Sequence, residues 1–235
     1  MEKNLKNLYI HQKATAEAHL WARSPGVLTH LENILYGAGQ RVCLKAGRIH
    51  RAEKILLEDK LYFLKIFYVK NLAKLLFKYP LKYRPPFKAV FNALLVSERG
   101  FPVILPLGFF IFKNPYRQKA WGGLLSPYYL EFETLPALWD KARQERNLFE
   151  SLMQDILKLL QKLHEAGLYI RDTKVNNFLV RPGEEPLLFD LDQVKFFRRP
   201  LPQKLRLKNY QVLRRTLRRQ GIPEEWLKVW FEKLL

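Results

Sequence analysis

The stretch Arg171-Asp172-Thr173-Lys174-Val175-Asn176-Asn177-Phe178-Leu179, followed by Leu188-Phe189-Asp190-Leu191-Asp192, decides how this chain is read. It sets acids, an amide and a lysine between short apolar pieces. Asn177 stands five residues after Asp172, and Asp190 comes thirteen after Asn177 at the end of an apolar run, room for a short hairpin returning to one place. Phosphoryl transfer from ATP needs such a set. A carboxylate orients the acceptor hydroxyl and takes its proton, hard oxygen donors hold divalent ions, and cations balance the phosphates. On this reading Asp172 is the candidate base, with Asn177 spaced as in D-x-x-x-x-N. Lys174 is placed to balance charge on the transferring group, and Asp190 is a metal ligand. Asp and Asn alone also suit turns, so the order and spacing of the set carry the reading.

Outward from this segment, the chain changes character. Arg41 to Lys45, Ala52 to Leu57 and Leu61 to Phe67 read as three short strands of a meander, with turn residues at Ala46-Gly47-Arg48 and Glu58-Asp59-Lys60. Helical periodicity follows over Val69 to Tyr79 and over Phe87 to Arg99, the second ending at Gly100. Phe101 to Phe112 and Gly123 to Glu131 read as strands, and Leu135 to His164 as mostly helical. Leu168 to Ile170, Phe178 to Val180 and Leu187 to Leu191 are short apolar pieces. Gln203 to Leu235 reads as two helices around Gly221-Ile222-Pro223. Residues 1–30 read as a polar N-terminal extension. The expected organisation is therefore α+β: an extension (1–30), a β-rich lobe (31–134) and a mainly helical lobe (135–235), joined near Glu131 to Pro136.

Composition supports a globular chain. Of 235 residues, 48% are hydrophobic, enough for a sizeable core. The 41 Lys and Arg exceed the 22 Asp and Glu, for a net charge of +19, which favours a polyanionic partner. No acid occurs from Leu61 to Ser97 or from Gln193 to Pro223, stretches holding seven and ten Lys and Arg. Such runs suit an anionic membrane surface, a solvated face or nucleic acid, but no nucleic-acid-binding motif accompanies them. The single cysteine, Cys43, forms no intrachain disulfide, and no zinc-ligand spacing is present. Met1 to Lys13 carries no signal-peptide pattern, and the apolar run Val103 to Phe112, broken by Pro106, is too short to span a bilayer.

The ordered motifs Leu163-His164-x-x-Gly167, Arg171-Asp172-x-Lys174-x-x-Asn177-Phe178-Leu179 and Phe189-Asp190-Leu191-Asp192 resemble the protein-kinase-like fold. Within it they are similar to the lipopolysaccharide core kinases, the Kdo/WaaP family of Kdo and heptose kinases. The likeness continues more weakly to Leu61-Tyr62-Phe63-Leu64-Lys65 and Gly100-Phe101-Pro102, in all over residues 40–235. It implies a bilobal kinase with a β-rich N-lobe and a shortened helical C-lobe. ATP with Mg2+ (or Mn2+) is the implied cofactor. Asn177 and Asp190 would hold the metal, Lys65 would hold the α- and β-phosphates, and Gly47 would lie near them. Some positions depart from the pattern. Ile170 stands where protein kinases carry His, Asp192 replaces the glycine of D-F-G, and there is no G-x-G-x-x-G. No glutamate is evident to pair with Lys65: Glu98 ends the second helix, while Ala89 and Asn92 occupy the better positions.

No A-P-E follows Asp190, which argues against a peptide-gripping platform. The expectation is an acceptor that is a lipid-linked sugar, Kdo or heptose, met at the cytoplasmic face of the inner membrane by a peripheral enzyme. A protein kinase, a soluble small-molecule kinase, and a pseudokinase or basic scaffold binding anionic lipid or RNA are the other readings.

Overall fold

The computed structural model describes residues 7–48, 50–69 and 84–231. The chain divides into two compact units. The first holds residues up to Glu98 and Ile104–Tyr128; the second holds Arg99–Val103 and Tyr129 onward.

The first unit is built on a seven-stranded antiparallel sheet. Its strands are β1 (His11–Ala14), β2 (Ala18–Ala22), β3 (Gln40–Ala46), β4 (His50–Leu57), β5 (Lys60–Tyr68), β6 (Gly108–Phe112) and β7 (Ala120–Pro127). They lie in the order β1-β2-β6-β7-β5-β4-β3. Successive side chains alternate between faces, and each face has its own helix. On one side Leu31 and Ile34 of α1 (Pro25–Leu35) pack on Leu20, Ile55, Leu64 and Phe110. On the other, Phe87, Val90 and Leu94 of α2 (Pro85–Glu98) pack on Phe67, Phe109 and Leu124. Ser24 caps α1 by accepting from the Val27 amide at 3.3 Å, with Pro25 starting the helix. Gly122 (φ +145°) lets β7 approach β6, since a Cβ there would fall 2.0 Å from the Phe110 carbonyl. A short helix, α3 (Pro115–Gln118), joins β6 to β7.

Two expectations are corrected here. Over its described part, residues 7–30, the expected polar extension is not separate from the sheet lobe. β1 and β2 belong to the sheet, and Tyr9, Ala18, Leu20 and Ala22 are buried in its cores. The alternation of Ala18, Leu20 and Ala22 with His19 and Trp21 is the strand signal, muted because two of its inward residues are alanines. The expected strand Phe101 to Phe112 begins only at Gly108. Pro102 and Pro106 interrupt it, and Arg99–Val103 packs with the second unit, where Pro102 accepts from the Leu188 amide at 2.9 Å. The unit boundary falls between Tyr128 and Tyr129, slightly before the expected joint. The expected helix over Val69 to Tyr79 lies outside the described residues beyond Val69.

The second unit is mainly helical: α4 (Leu135–Ala142), α5 (Arg146–Glu165), α6 (Gln203–Arg219) and α7 (Glu224–Phe231). The expected helix Leu135 to His164 is thus two, broken at Arg143–Glu145. α5 buries Phe149, Leu152, Met153, Ile156, Leu160 and Leu163, the three- and four-residue spacing of one apolar face. Trp139, Phe149 and Trp226 stack edge-on or tilted with centroids 5.2–5.8 Å apart, tying α4, α5 and α7 together. Short strands carry the loops: β8 (Glu133–Thr134), β9 (Leu168–Ile170), β10 (Phe178–Val180), β11 (Leu187–Leu188) and β12 (Val194–Phe196). β10 pairs with both β8 and β11, and β9 with β12. Gly167 (φ +72°) turns α5 into β9 where a Cβ would meet the Phe197 and Arg199 carbonyls at 2.6 Å. Among the described residues no helix is long and apolar enough to cross a membrane.

Candidate active site

The loop from β9 to β10 carries Asp172, Lys174 and Asn177, and local chemistry fixes its shape. The Lys174 amide donates to the Asp172 carbonyl at 2.8 Å, and the Asn177 amide to the Lys174 carbonyl at 2.9 Å. The Asn177 side chain also donates to the Asp172 carbonyl at 2.9 Å. Committing the amide nitrogen inward leaves the Asn177 side-chain oxygen as a hard donor. Lys174 Nζ meets Asp172 Oδ2 at 2.6 Å, with both side chains partly exposed. The hairpin of β10 and β11 pairs Phe178 with Leu188, and the Phe189 amide donates to the Asn177 carbonyl at 3.1 Å. Asp190 follows directly, in the left-handed region at φ 61°. Asp and Asn tolerate that conformation better than most residues, and such strain clusters at functional sites. The thirteen-residue interval is thus spanned by a hairpin, and Asp172, Lys174, Asn177 and Asp190 fall in one loop system.

The loop is braced from behind by α5 and α6. Asn209 donates to the Ile170 carbonyl at 2.8 Å, and Thr173 Oγ1 donates to that same carbonyl at 2.6 Å. Thr216 Oγ1 accepts from the Val175 amide at 3.2 Å while donating to the Leu213 carbonyl at 2.9 Å. His164 Nε2 lies 3.1 Å from the Asn209 side-chain oxygen. Asn209 spends its amide nitrogen on Ile170, so its oxygen accepts and His164 Nε2 is the protonated nitrogen. Burial pushes the His164 pKa from 6.5 down to about 4, which keeps the ring neutral. His164 is therefore a structural group behind the loop. Asn209, Thr173 and Thr216 were not singled out by sequence. Their one signal is that Asn209 and Thr216 stand on the inner side of α6 amid a run of cations.

Two other expected site residues belong to the first unit. Lys65, on β5, is paired through its backbone with Ala52 and Leu124 and is only 4% exposed. Its Nζ lies 4.9 Å from the Phe67 ring centroid, on the sheet face covered by α2. It is not a solvent-facing edge lysine. On α2, Ala89 and Asn92 are buried and Glu98 is exposed. Glu53, the buried carboxylate among the described residues, lies on the opposite face, 2.6 Å from Arg51. Gly47 sits in the β3–β4 turn, donating to the His50 carbonyl at 3.0 Å.

The donor set fits an ion that arrives with its nucleotide. Among the described residues no group of three or more His, Cys, Asp or Glu side chains forms a ready-made cage. Asp190 offers a carboxylate and Asn177 an amide oxygen. Mg2+ commonly takes one or two protein oxygens and completes its shell with phosphate oxygens and water.

The model of the lipopolysaccharide kinase (Kdo/WaaP) family matches residues 47–230, a span that includes Gly47, Lys65, the Asp172 loop and Asp190. No individual curated protein matches. Among solved structures the chain is similar to WaaP in complex with acyl carrier protein, with a TM-score of 0.56 and 16% identity over 91% of this chain and 88% of that one. That likeness shows a shared kinase-like fold.

Proposed function

Because the chain belongs to the lipopolysaccharide kinase (Kdo/WaaP) family and is thereby a kinase, we propose that it transfers the γ-phosphoryl group of ATP to a hydroxyl of Kdo or heptose in the lipopolysaccharide inner core, at the cytoplasmic face of the inner membrane. The observation that carries this reading is the convergence of Asp172, Lys174, Asn177 and Asp190 on one braced loop system.

Asp172 orients the acceptor hydroxyl and accepts its proton as the oxygen–phosphorus bond forms and the bond to ADP breaks. Lys174, within reach of Asp172, neutralises charge on the transferring group. Lys65 holds the α- and β-phosphates. Asn177 and Asp190 would hold Mg2+ or Mn2+, which when bound neutralises the β- and γ-phosphates. Gly47 lets the β3–β4 turn approach the phosphates without a side chain. The partner of the solved WaaP, acyl carrier protein, is a candidate partner here as well.

The test is incubation with γ-labelled ATP, Mg2+ and a panel of core oligosaccharides, lipids and proteins. Label on a Kdo- or heptose-bearing core supports the reading. Label on protein or soluble metabolites alone rejects the acceptor class.

A further inference from the structure

α6 has two faces of opposite chemistry. Its inner face carries Asn209, Tyr210, Leu213, Thr216 and Leu217, all buried. Its outer face carries Lys204, Lys208, Arg215 and Arg219, all exposed. At 3.6 residues per turn these four fall within about 60° of arc and spread along about 22 Å of helix.

The other arginines of this helix are matched. Arg206 pairs with Glu165 at 2.6 Å, and Arg214 and Arg218 both pair with Glu224, whose carboxyl they hold below the usual range. None of the four outward cations makes an ion pair among the described residues. Four like charges on one stripe, with no acid between Gln193 and Pro223, repel one another. They gain by facing a polyanion.

Resting in part on the membrane setting proposed above, we infer that this stripe is the docking face for an anionic bilayer surface. The stripe is straight and has no aromatic or aliphatic anchor among its outward positions, which are Lys204, Lys208, Gln211, Arg215, Arg218 and Arg219. A protein partner of comparable affinity would be expected to use a buried apolar or aromatic anchor. A lipid surface requires charge alone. The inner face of the same helix holds the Ile170 carbonyl and the Val175 amide, so docking through α6 sets the orientation of the Asp172 loop to the membrane directly.

The experiment is cosedimentation of the full chain with vesicles of phosphatidylcholine alone or with phosphatidylglycerol added. The wild type is expected to bind only the anionic vesicles, and less so as salt rises. Neutralising Lys204, Lys208, Arg215 and Arg219 to Gln should weaken binding about 100-fold or more, from the several-fold each cation contributes near such a surface. A control of equal net charge, with Lys141, Arg143, Lys158 and Lys195 changed to Gln, should bind within about threefold of wild type. If the fourfold variant does not fold, the pairs Lys204→Gln with Arg215→Gln and Lys208→Gln with Arg219→Gln carry the same comparison.

No vesicle binding by wild type, or equal weakening in both variants, overturns the inference. So does wild-type vesicle binding by the α6 variant, including the case where it has lost affinity for acyl carrier protein instead. Label transfer to a soluble deacylated core, run without vesicles, separates the two readings. Intact vesicle binding through α6 without transfer fails the kinase acceptor and leaves the docking face standing.

Discussion

The side-chain amide of Asn209 holds the carbonyl of Ile170 at 2.8 Å, two residues ahead of Asp172. This bond and the Thr216–Val175 bond pin the Asp172 loop on both sides of the candidate base from a single helix.

Removing that pin should loosen Asp172 more than it unfolds the chain. Asn209→Ala leaves the Ile170 carbonyl with Thr173 alone and is expected to cost about 1–3 kcal/mol of stability. Turnover should fall at least about tenfold, with KM for ATP changed less, because Lys65, the proposed holder of the α- and β-phosphates, stands on β5. Steady-state kinetics beside thermal unfolding checks this. An unaltered kcat would mean the bond does not position the loop.

His164 predicts a pH dependence of stability. Its pKa is near 6.5 when unfolded and about 4 when folded, lowered by burial. Between those values the unfolded chain binds more protons, so stability rises with pH and is lost as pH falls from about 6.5 to about 4. The loss from this one group approaches about 3 kcal/mol at the acid end. Thermal unfolding of His164→Gln across that range should show a flatter profile than wild type.

Strand β2 should matter as core. Leu20 is fully buried among Leu31, Ile55 and Leu64. Leu20→Ala is expected to destabilise by about 3 kcal/mol, and deletion of residues 1–23 to give insoluble protein, since β6 would lose one of its two partners and become an open sheet edge. Denaturant unfolding checks the first, soluble expression the second.

Gly122→Ala should be worse. It adds a Cβ 2.0 Å from the Phe110 carbonyl at φ +145°. A loss of about 4 kcal/mol or more is expected, read as failure to accumulate folded protein.

The β-rich then helix-rich order and the Asp172–Asn177–Asp190 spacing were legible because each rests on residue type at short range. Lys65 stands in an apolar strand in the sequence, and in the structure it is buried. What stayed hidden depends on distant partners. β2 is five residues long, and β6, which joins it to the rest of the sheet, lies far along the chain. Asn209 and Thr216 acquire their roles from backbone groups 39 and 41 residues away. Phe101–Val103 reads as the start of a strand, but the Pro102 carbonyl accepts from the distant Leu188 amide instead.

Transfer and binding measured on Asp172→Asn give the most direct test. The substitution keeps the shape of a loop held chiefly by backbone and Asn177 bonds, so calorimetry should find Mg-ATP bound as in wild type. Label transfer to the core sugar should fall by about 100-fold to 10,000-fold. A variant that transfers phosphate at the wild-type rate would contradict the assignment of Asp172 as the base.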